Sequence, residues 1–274
     1  MTKVLPRDLT SYDLLKMLAV ILMITDHVGH HFYPDEMWFR VFGRFCVPMW
    51  FFLIGYARGA DISKMLVGGA LIVGVSAVVA GQFILPLNIL FTIMVVRVFR
   101  DKFARAAFHS AESLRGLYLI LFFLTFPTAI FFEYGAMGMM LALVGYAVRN
   151  RDDIKTRIEN KYITLYVFAT FLAFYLWQGI VMPHVSGVQA IVFAGGIASV
   201  AVLLSRFRAA EYVDAEKIMA RSFVRIIQFF GRRTLEIYVV HVVLFRLVCM
   251  YLYPESYGFL NFQIVPAGAL SLFH

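Results

Sequence analysis

Cysteine is nearly absent from this 274-residue chain, and charge is thin. The two cysteines, Cys46 and Cys249, both fall inside apolar stretches. They form no disulfide framework and read as small apolar packing residues rather than a disulfide or a metal site. Charged residues make up 15% of the chain and hydrophobic residues 61%. Mean hydropathy is +0.78. A soluble domain of this length does not carry that much apolar surface. Short segments of alternating polarity, the mark of a membrane β-barrel, are also missing. No low-complexity linker and no internal repeat divides the chain, so residues 1–274 read as one domain.

What is present is a series of long apolar runs. They predict an all-α, polytopic transmembrane helical bundle of about nine spans, eight to ten in all. The runs are approximately 13–33, 39–58, 64–84, 86–99, 116–132, 134–149, 161–180, 186–205 and 226–253. The fourth is short for a bilayer, and with Pro86 and Asn88 it reads as a tilted, broken or re-entrant element. The first run contains Lys16, Asp26 and His27 and no small-residue cleavage site, so it is expected to be a retained span rather than a removed leader.

The net charge is +8. In a chain of this kind it reflects Lys and Arg in loops, not nucleic-acid binding. Lys3, Arg7, Arg58, Lys64, Arg100, Lys102, Arg149, Lys155, Arg206 and Arg221 all map to one side of the spans. The opposite loops, around 34–38, 85–87, 133 and 181–186, carry almost none. The excess places the amino terminus in the cytoplasm and the end of the ninth run outside. The tail 256–274 is too short to cross and is expected at the interface or dipping into it.

Within this apolar background Asp26 and His27 stand side by side in the first run. An aspartate at mid-membrane costs roughly 2.5–3.5 kcal/mol on insertion scales, so such a residue marks a functional site by default. Lys16 and His27 are close to three helical turns apart, on one face and roughly 16 Å apart along the axis. His30 and His31 extend that face outward. A cation near the water and a proton-transfer group deep inside suit a long anionic ligand threaded into the bilayer. Taken alone, Lys16 also reads as an ordinary flanking residue whose ammonium reaches the interface.

Asp26 points about 100° away from His27. It is expected to pair with Arg44, after Gly43 in the second run, as a structural clip, an organiser of the site, or both. His241, in the middle of the last run, is the other deeply placed histidine; His109 and His184 fall in loops and His274 is terminal. It reads either as helix–helix glue or as a partner in a shared polar cavity. Metal binding by His27, His30 and His31 has acceptable spacing but no accompanying Cys or carboxylate cluster, so no metal is expected. Asn88, after Leu85-Pro86-Leu87, reads equally as a helix cap and as an oxyanion or cofactor group.

These motifs together resemble the TraX family. The segment Leu15-Lys16…Met23-Ile24-Thr25-Asp26-His27 and then Gly43-Arg44-Phe45-Cys46-Val47-Pro48-Met49-Trp50-Phe51 is similar to the family pattern LK…M..DH followed by GR.A.P.F. Asn88-Ile89-Leu90-Phe91-Thr92, Tyr134-Gly135…Gly138 and Tyr238…His241 continue the match. Cys46 stands where the family usually has alanine. The stretch Gly231-Arg232-Arg233-Thr234-Leu235-Glu236-Ile237-Tyr238-Val239-Val240-His241 also resembles the final helix of the broader acyltransferase-3 superfamily.

The resemblance implies an integral-membrane acyltransferase of the bacterial inner membrane. It would move an acetyl or other short acyl group from acyl-CoA, usually acetyl-CoA, to an amine or hydroxyl acceptor in the envelope. That acceptor would be a pilin N-terminus or a cell-surface glycan. On this reading His27, Asp26 and His241 form the catalytic set. Lys16, Arg44, Asn88, Arg97, Arg100, Arg232 and Arg233 would serve the CoA donor. Two other classes use the same polar groups: a proton-coupled transporter, and a non-catalytic membrane partner in which they are only clips.

Overall fold

The computed structural model describes residues 8–182 and 184–260. It is all-helical apart from one two-residue strand pair. The order is β1 (Leu9–Thr10), α1 (Ser11–Phe32), α2 (Met37–Gly43), α3 (Cys46–Tyr56), α4 (Lys64–Val79), α5 (Ile89–Ala107), α6 (Ala111–Ala129) and α7 (Gly135–Arg149). There follow α8 (Arg151–Lys155), α9 (Asn160–Val181), α10 (Gly187–Ser205), β2 (Glu211–Tyr212), α11 (Ala215–Ile218), α12 (Arg221–Arg232) and α13 (Thr234–Leu252). β1 and β2 pair antiparallel, with Leu9 opposite Tyr212.

Contacts between chain turns define two ends of the bundle. At the end where α1 begins, the near end, Ser11 Oγ donates to the Arg208 carbonyl at 2.9 Å and Arg149 donates to the Ala57 carbonyl at 3.0 Å. At the far end Glu133 N donates to the Leu87 carbonyl at 3.0 Å, and His31 Nδ1 lies 2.8 Å from the Tyr257 hydroxyl. Helices therefore alternate in direction: α1, α4, α6, α9 and α13 run one way, and α2–α3, α5, α7 and α10 the other.

Local chemistry starts these helices where they start. Thr10 and Asp13 form a reciprocal capping box on α1, each side chain taking the other's backbone N–H at 3.1 Å. That satisfies two of the amides a helix leaves without partners at its start. α7 is the central helix, with Met137–Val144 buried throughout. It lies against α3 because Gly55 has no side chain; a Cβ there would stand 1.6 Å from the Ala142 carbonyl oxygen. Small residues at such contacts let apolar helices approach closely where lipid, not water, surrounds them. The outer faces carry exposed apolar side chains such as Phe123, Phe168, Ile191 and Val240.

Four helices among the described residues are long and apolar enough to cross a membrane: Met37–Tyr56 (α2 with α3), α9, α10 and α13. α1 has the length, 22 residues, but Asp13, Lys16 and Asp26 lower its hydropathy. α4 and α7 are apolar but only 16 and 15 residues long.

The helix limits depart from the apolar runs at four places. The run 39–58 breaks at Arg44–Phe45, and Pro48 falls in the first turn of α3, where its missing N–H costs nothing. The run 64–84 stops at Val79, before a turn through Gly81 at φ +66°. The run 86–99 becomes α5, which starts only after the Asn88 cap and continues through Arg100, Lys102 and Arg105 to Ala107. Hydropathy falls there, but the backbone ladder does not need apolar side chains. The run 226–253 divides at Arg233 into an amphipathic α12, which packs Val224, Ile227 and Gly231 inward, and the apolar α13. Of the tail, Leu260 donates to the Val79 carbonyl at 3.2 Å; 261–274 lie outside the described residues.

Candidate functional site

A cavity of about 1130 Å³ runs through the bundle along α1. Its wall includes Asp13 and Lys16 toward the near end and His27 and His30 toward the far end. Asp13 to His30 spans roughly 26 Å at 1.5 Å per residue. The opposite wall comes from α3, α5, the start of α7, α9 and α13, through Trp50, Arg97, Tyr134, Gln178 and Tyr238. The shared helical face expected for Lys16 and His27 is thus the face that borders the cavity.

His27 is held from behind by α13. His27 Nδ1 lies 2.7 Å from His241 Nε2, the rings stacking at 4.9 Å between centroids. His241 Nδ1 lies 2.5 Å from the Ile237 carbonyl oxygen, one helical turn back. A carbonyl only accepts, so His241 Nδ1 carries the hydrogen. In neutral His241, Nε2 is then the acceptor, and His27 Nδ1 must donate to it. This fixes the neutral His27 tautomer with a bare lone pair on Nε2. His27 Nε2 has no hydrogen-bond partner among the described residues, and His27, unlike His241, lines the cavity. The arrangement can act as a general base with its ring orientation set by a second histidine.

Asp26 faces α2 instead. Its carboxylate meets Arg40 Nη1 at 2.9 Å and Arg44 Nε at 3.4 Å. Arg44 also donates to the Tyr134 hydroxyl and lies over that ring, 5.8 Å from its centroid. Gly43 allows the approach, since a Cβ there would come within 2.4 Å of Asp26 Cα. Tyr134 sits at φ +66°, a left-handed conformation that is strained for a tyrosine. The expected Asp26–Arg44 pair is present, and Arg40 joins it at closer range.

The near end of the cavity carries four cations, Lys16, Arg58, Arg97 and Arg232, beside three carboxylates, Asp13, Asp61 and Glu211. Arg97 donates to the Asp61 carbonyl at 2.9 Å and leaves its buried Nε unpartnered. Arg232 is already engaged, gripping the Asp13 carboxylate with two hydrogen bonds of 3.1 Å and the Asp8 carbonyl at 3.0 Å.

Three residues expected at the donor lie elsewhere. Asn88 is not on the cavity wall: its Oδ1 caps α5 at Leu90 N and its Nδ2 donates to the Ala70 carbonyl, both at 3.1 Å. The capping alternative is the one its side chain adopts. Arg100, 2% exposed, donates to the carbonyls of Ile54 and Ala57 at the end of α3, at 3.0 and 2.8 Å, and so ties α5 to α3. Arg233 is exposed and pairs with Glu236 at 3.2 Å. Among the described residues no three His, Cys, Asp or Glu side chains are arranged to hold a metal ion.

Other buried polar residues in and near the site escape a reading by motif. Arg40 is one turn before Arg44, a spacing that would have shown it on the same face. Arg246 of α13 donates to the Val73 carbonyl and to Ser76 Oγ, both at 2.6 Å. Gln178 of α9 carries no sequence signal beyond being a lone amide in an apolar helix.

The family description "TraX protein" matches residues 11–188, more than half of the chain. The chain belongs to the TraX family. The matched region contains Lys16, Asp26, His27, Arg44 and most of the cavity wall, whereas His241 and Arg232 lie beyond it. This TraX-family chain is also similar to an uncharacterized protein of Rickettsia prowazekii (strain Madrid E), 23% identical over 266 residues, covering 94% of this chain and 99% of the relative. No solved structure matches it.

Proposed function

We propose that this chain is an acyl-CoA-dependent acyltransferase of the bacterial cytoplasmic membrane, related to the acyltransferase-3-like superfamily. All nine helical passes cross the membrane, with the amino terminus in the cytoplasm. The observation that carries the reading is one cavity bordered by Lys16, Arg58 and Arg97 at its near end and by His27, whose Nδ1 is taken up by His241, toward its far end. Lys16, Arg58 and Arg97 line the end where phosphates of a cytoplasmic donor would be held. An extended thiol arm of that donor matches the distance along α1 to His27.

In this mechanism His27 Nε2 takes the proton from an amine or hydroxyl of the acceptor as that group attacks the thioester carbonyl. The carbon–sulfur bond breaks and the proton passes from His27 to the departing thiolate, so no net proton is left behind. His241 orients the ring and accepts from Nδ1 as the imidazolium forms. Asp26, Arg40 and Arg44 hold α1 and α2 in register and give the far chamber its shape. The acceptor enters from the far end, and a pilin N-terminus or an envelope glycan hydroxyl is the acceptor that the resemblance implies.

The test is acyl transfer by purified protein given labelled acetyl-CoA, wild type against His27→Ala. A general base contributes about 10²–10⁴-fold, so the variant is expected to lose at least a hundredfold in rate. Full turnover by a folded His27→Ala protein overturns the assignment. Absence of thermal protection by saturating CoA removes the donor and turns the same polar groups toward a proton-coupled carrier.

A further inference from the structure

Gln178 is the most conspicuous unused polar group in the bundle. It continues the inward seam of α9 after Ile163, Tyr166, Thr170 and Phe174, where another apolar residue would pack. It is 0% exposed, it borders the cavity, and neither its Oε1 nor its Nε2 has a hydrogen-bond partner among the described residues. A buried amide left without partners costs about 1–3 kcal/mol, so a group in the cavity is needed to satisfy it. Trp50 repeats the pattern on α3: its Nε1 is buried, unpartnered and on the same cavity.

The two lie at different depths. Gln178 is 18 residues into α9 from its near-end start, roughly 27 Å, and His27 is 16 residues into α1, roughly 24 Å. Both residues thus lie toward the far ends of their helices and border the same cavity. Trp50 is six residues along from Arg44 toward the near end, roughly 9 Å closer to the basic groups. The cavity thus offers a donor-plus-acceptor amide toward the far end and a second donor partway to the cations of the near end.

A secondary amide is the chemistry that answers this pattern. Its N–H pairs with Gln Oε1 and its C=O with Gln Nε2, and a further C=O takes an indole N–H. The pantetheine arm of CoA carries two secondary amides in series between its thiol and its phosphates. We propose that Gln178 and Trp50 are the residues that hold this arm, Gln178 on the amide next to the sulfur and Trp50 on the one nearer the phosphates. The proposal rests on the acyl-CoA reading and assigns its donor subsite.

The experiment measures binding to full-length protein in detergent by calorimetry. The ligands are CoA and adenosine 3′,5′-bisphosphate, which keeps phosphates but lacks the arm. Wild type is compared with Gln178→Met, which preserves side-chain length, and with Trp50→Phe. Loss of one or two net hydrogen bonds of about 1 kcal/mol each predicts CoA affinity about 5- to 30-fold weaker in Gln178→Met and about fivefold weaker in Trp50→Phe. Bisphosphate affinity is expected to stay at the wild-type value, which also reports that the variants are folded. Unchanged CoA affinity in both variants overturns the proposal, as does a parallel loss of CoA and bisphosphate binding. If wild type binds neither ligand, the acyl-CoA reading fails first; if it binds CoA and the variants do too, only the arm assignment fails.

Discussion

Replacing Asp26 by leucine leaves two guanidinium groups facing each other in the interior. Arg40 and Arg44 are 15% and 11% exposed at their side chains, and Asp26 is 9% exposed. In the wild type one carboxylate stands between them, and Tyr134 takes one more donor from Arg44. Removing one member of a buried ion pair costs about 3–5 kcal/mol, because the remaining charge keeps its desolvation penalty and loses its partner. At roughly 2–4 °C per kcal/mol for chains of this size, the melting temperature falls by roughly 6–20 °C.

The measurement is thermal unfolding in detergent, followed by tryptophan fluorescence. Arg40→Met alone should cost less, since the Asp26–Arg44 contact at 3.4 Å survives. The combined change Asp26→Leu, Arg40→Met and Arg44→Met should recover much of the loss, because an apolar replacement of a whole buried ionic cluster is often neutral. The coupling is thus expected to be strongly non-additive. An Asp26→Leu protein melting within roughly 2 °C of wild type, or a triple variant worse than the single, refutes the reasoning that this carboxylate holds α1 to α2.

Two further outcomes follow from the same geometry. His241→Phe removes the acceptor of the His27 Nδ1 hydrogen bond; kcat is expected to fall on the order of tenfold to a hundredfold with KM for acetyl-CoA unmoved, and His241→Asn, which restores an acceptor, should recover part of it. A rise in KM without loss of kcat would show His241 serving ligand binding instead. Asn88→Ala removes a helix cap and its Ala70 contact, so stability should drop by about 1 kcal/mol while the rate per folded molecule stays at wild type; a folded Asn88→Ala protein with a hundredfold lower kcat would return the oxyanion role to it.

Much of this architecture is legible in the chain because lipid imposes simple rules. Long apolar runs mark helices, and a 3.6-residue period places Lys16 and His27 on one cavity-lining face. The same period turns Asp26 aside toward Arg44. What escapes is lateral and long-range. Nothing local tells that His241, 214 residues away, meets His27 rather than another helix. Arg100 looks like a membrane-flanking cation, yet its partners are backbone carbonyls of α3, which no side-chain pattern advertises. Asn88 carries two defensible readings until the position of Ala70 selects the cap.

The distribution of unpartnered polar atoms separates scaffold from site. Arg100 directs its donors at several carbonyls, and Asn88 commits both ends of its amide to backbone partners. Of the buried polar atoms without hydrogen bonds, those of Asp26 and Arg44 face each other in the ion pair at 3.4 Å, and those of Trp50, Arg97 and Gln178 lie on residues that line the cavity, against Thr170 and Arg246 away from it. In an apolar bundle such atoms have no general solvent to turn to. Trp50, Arg97 and Gln178 therefore leave buried polar atoms beside one channel without partners among the described residues. His27 Nε2 opens onto that same space with its lone pair bare. On the proposed reading, His27, the cations of the near end and the buried donors of Trp50 and Gln178 share one cavity roughly as long as α1, as a chain-like, anionic-headed donor would require.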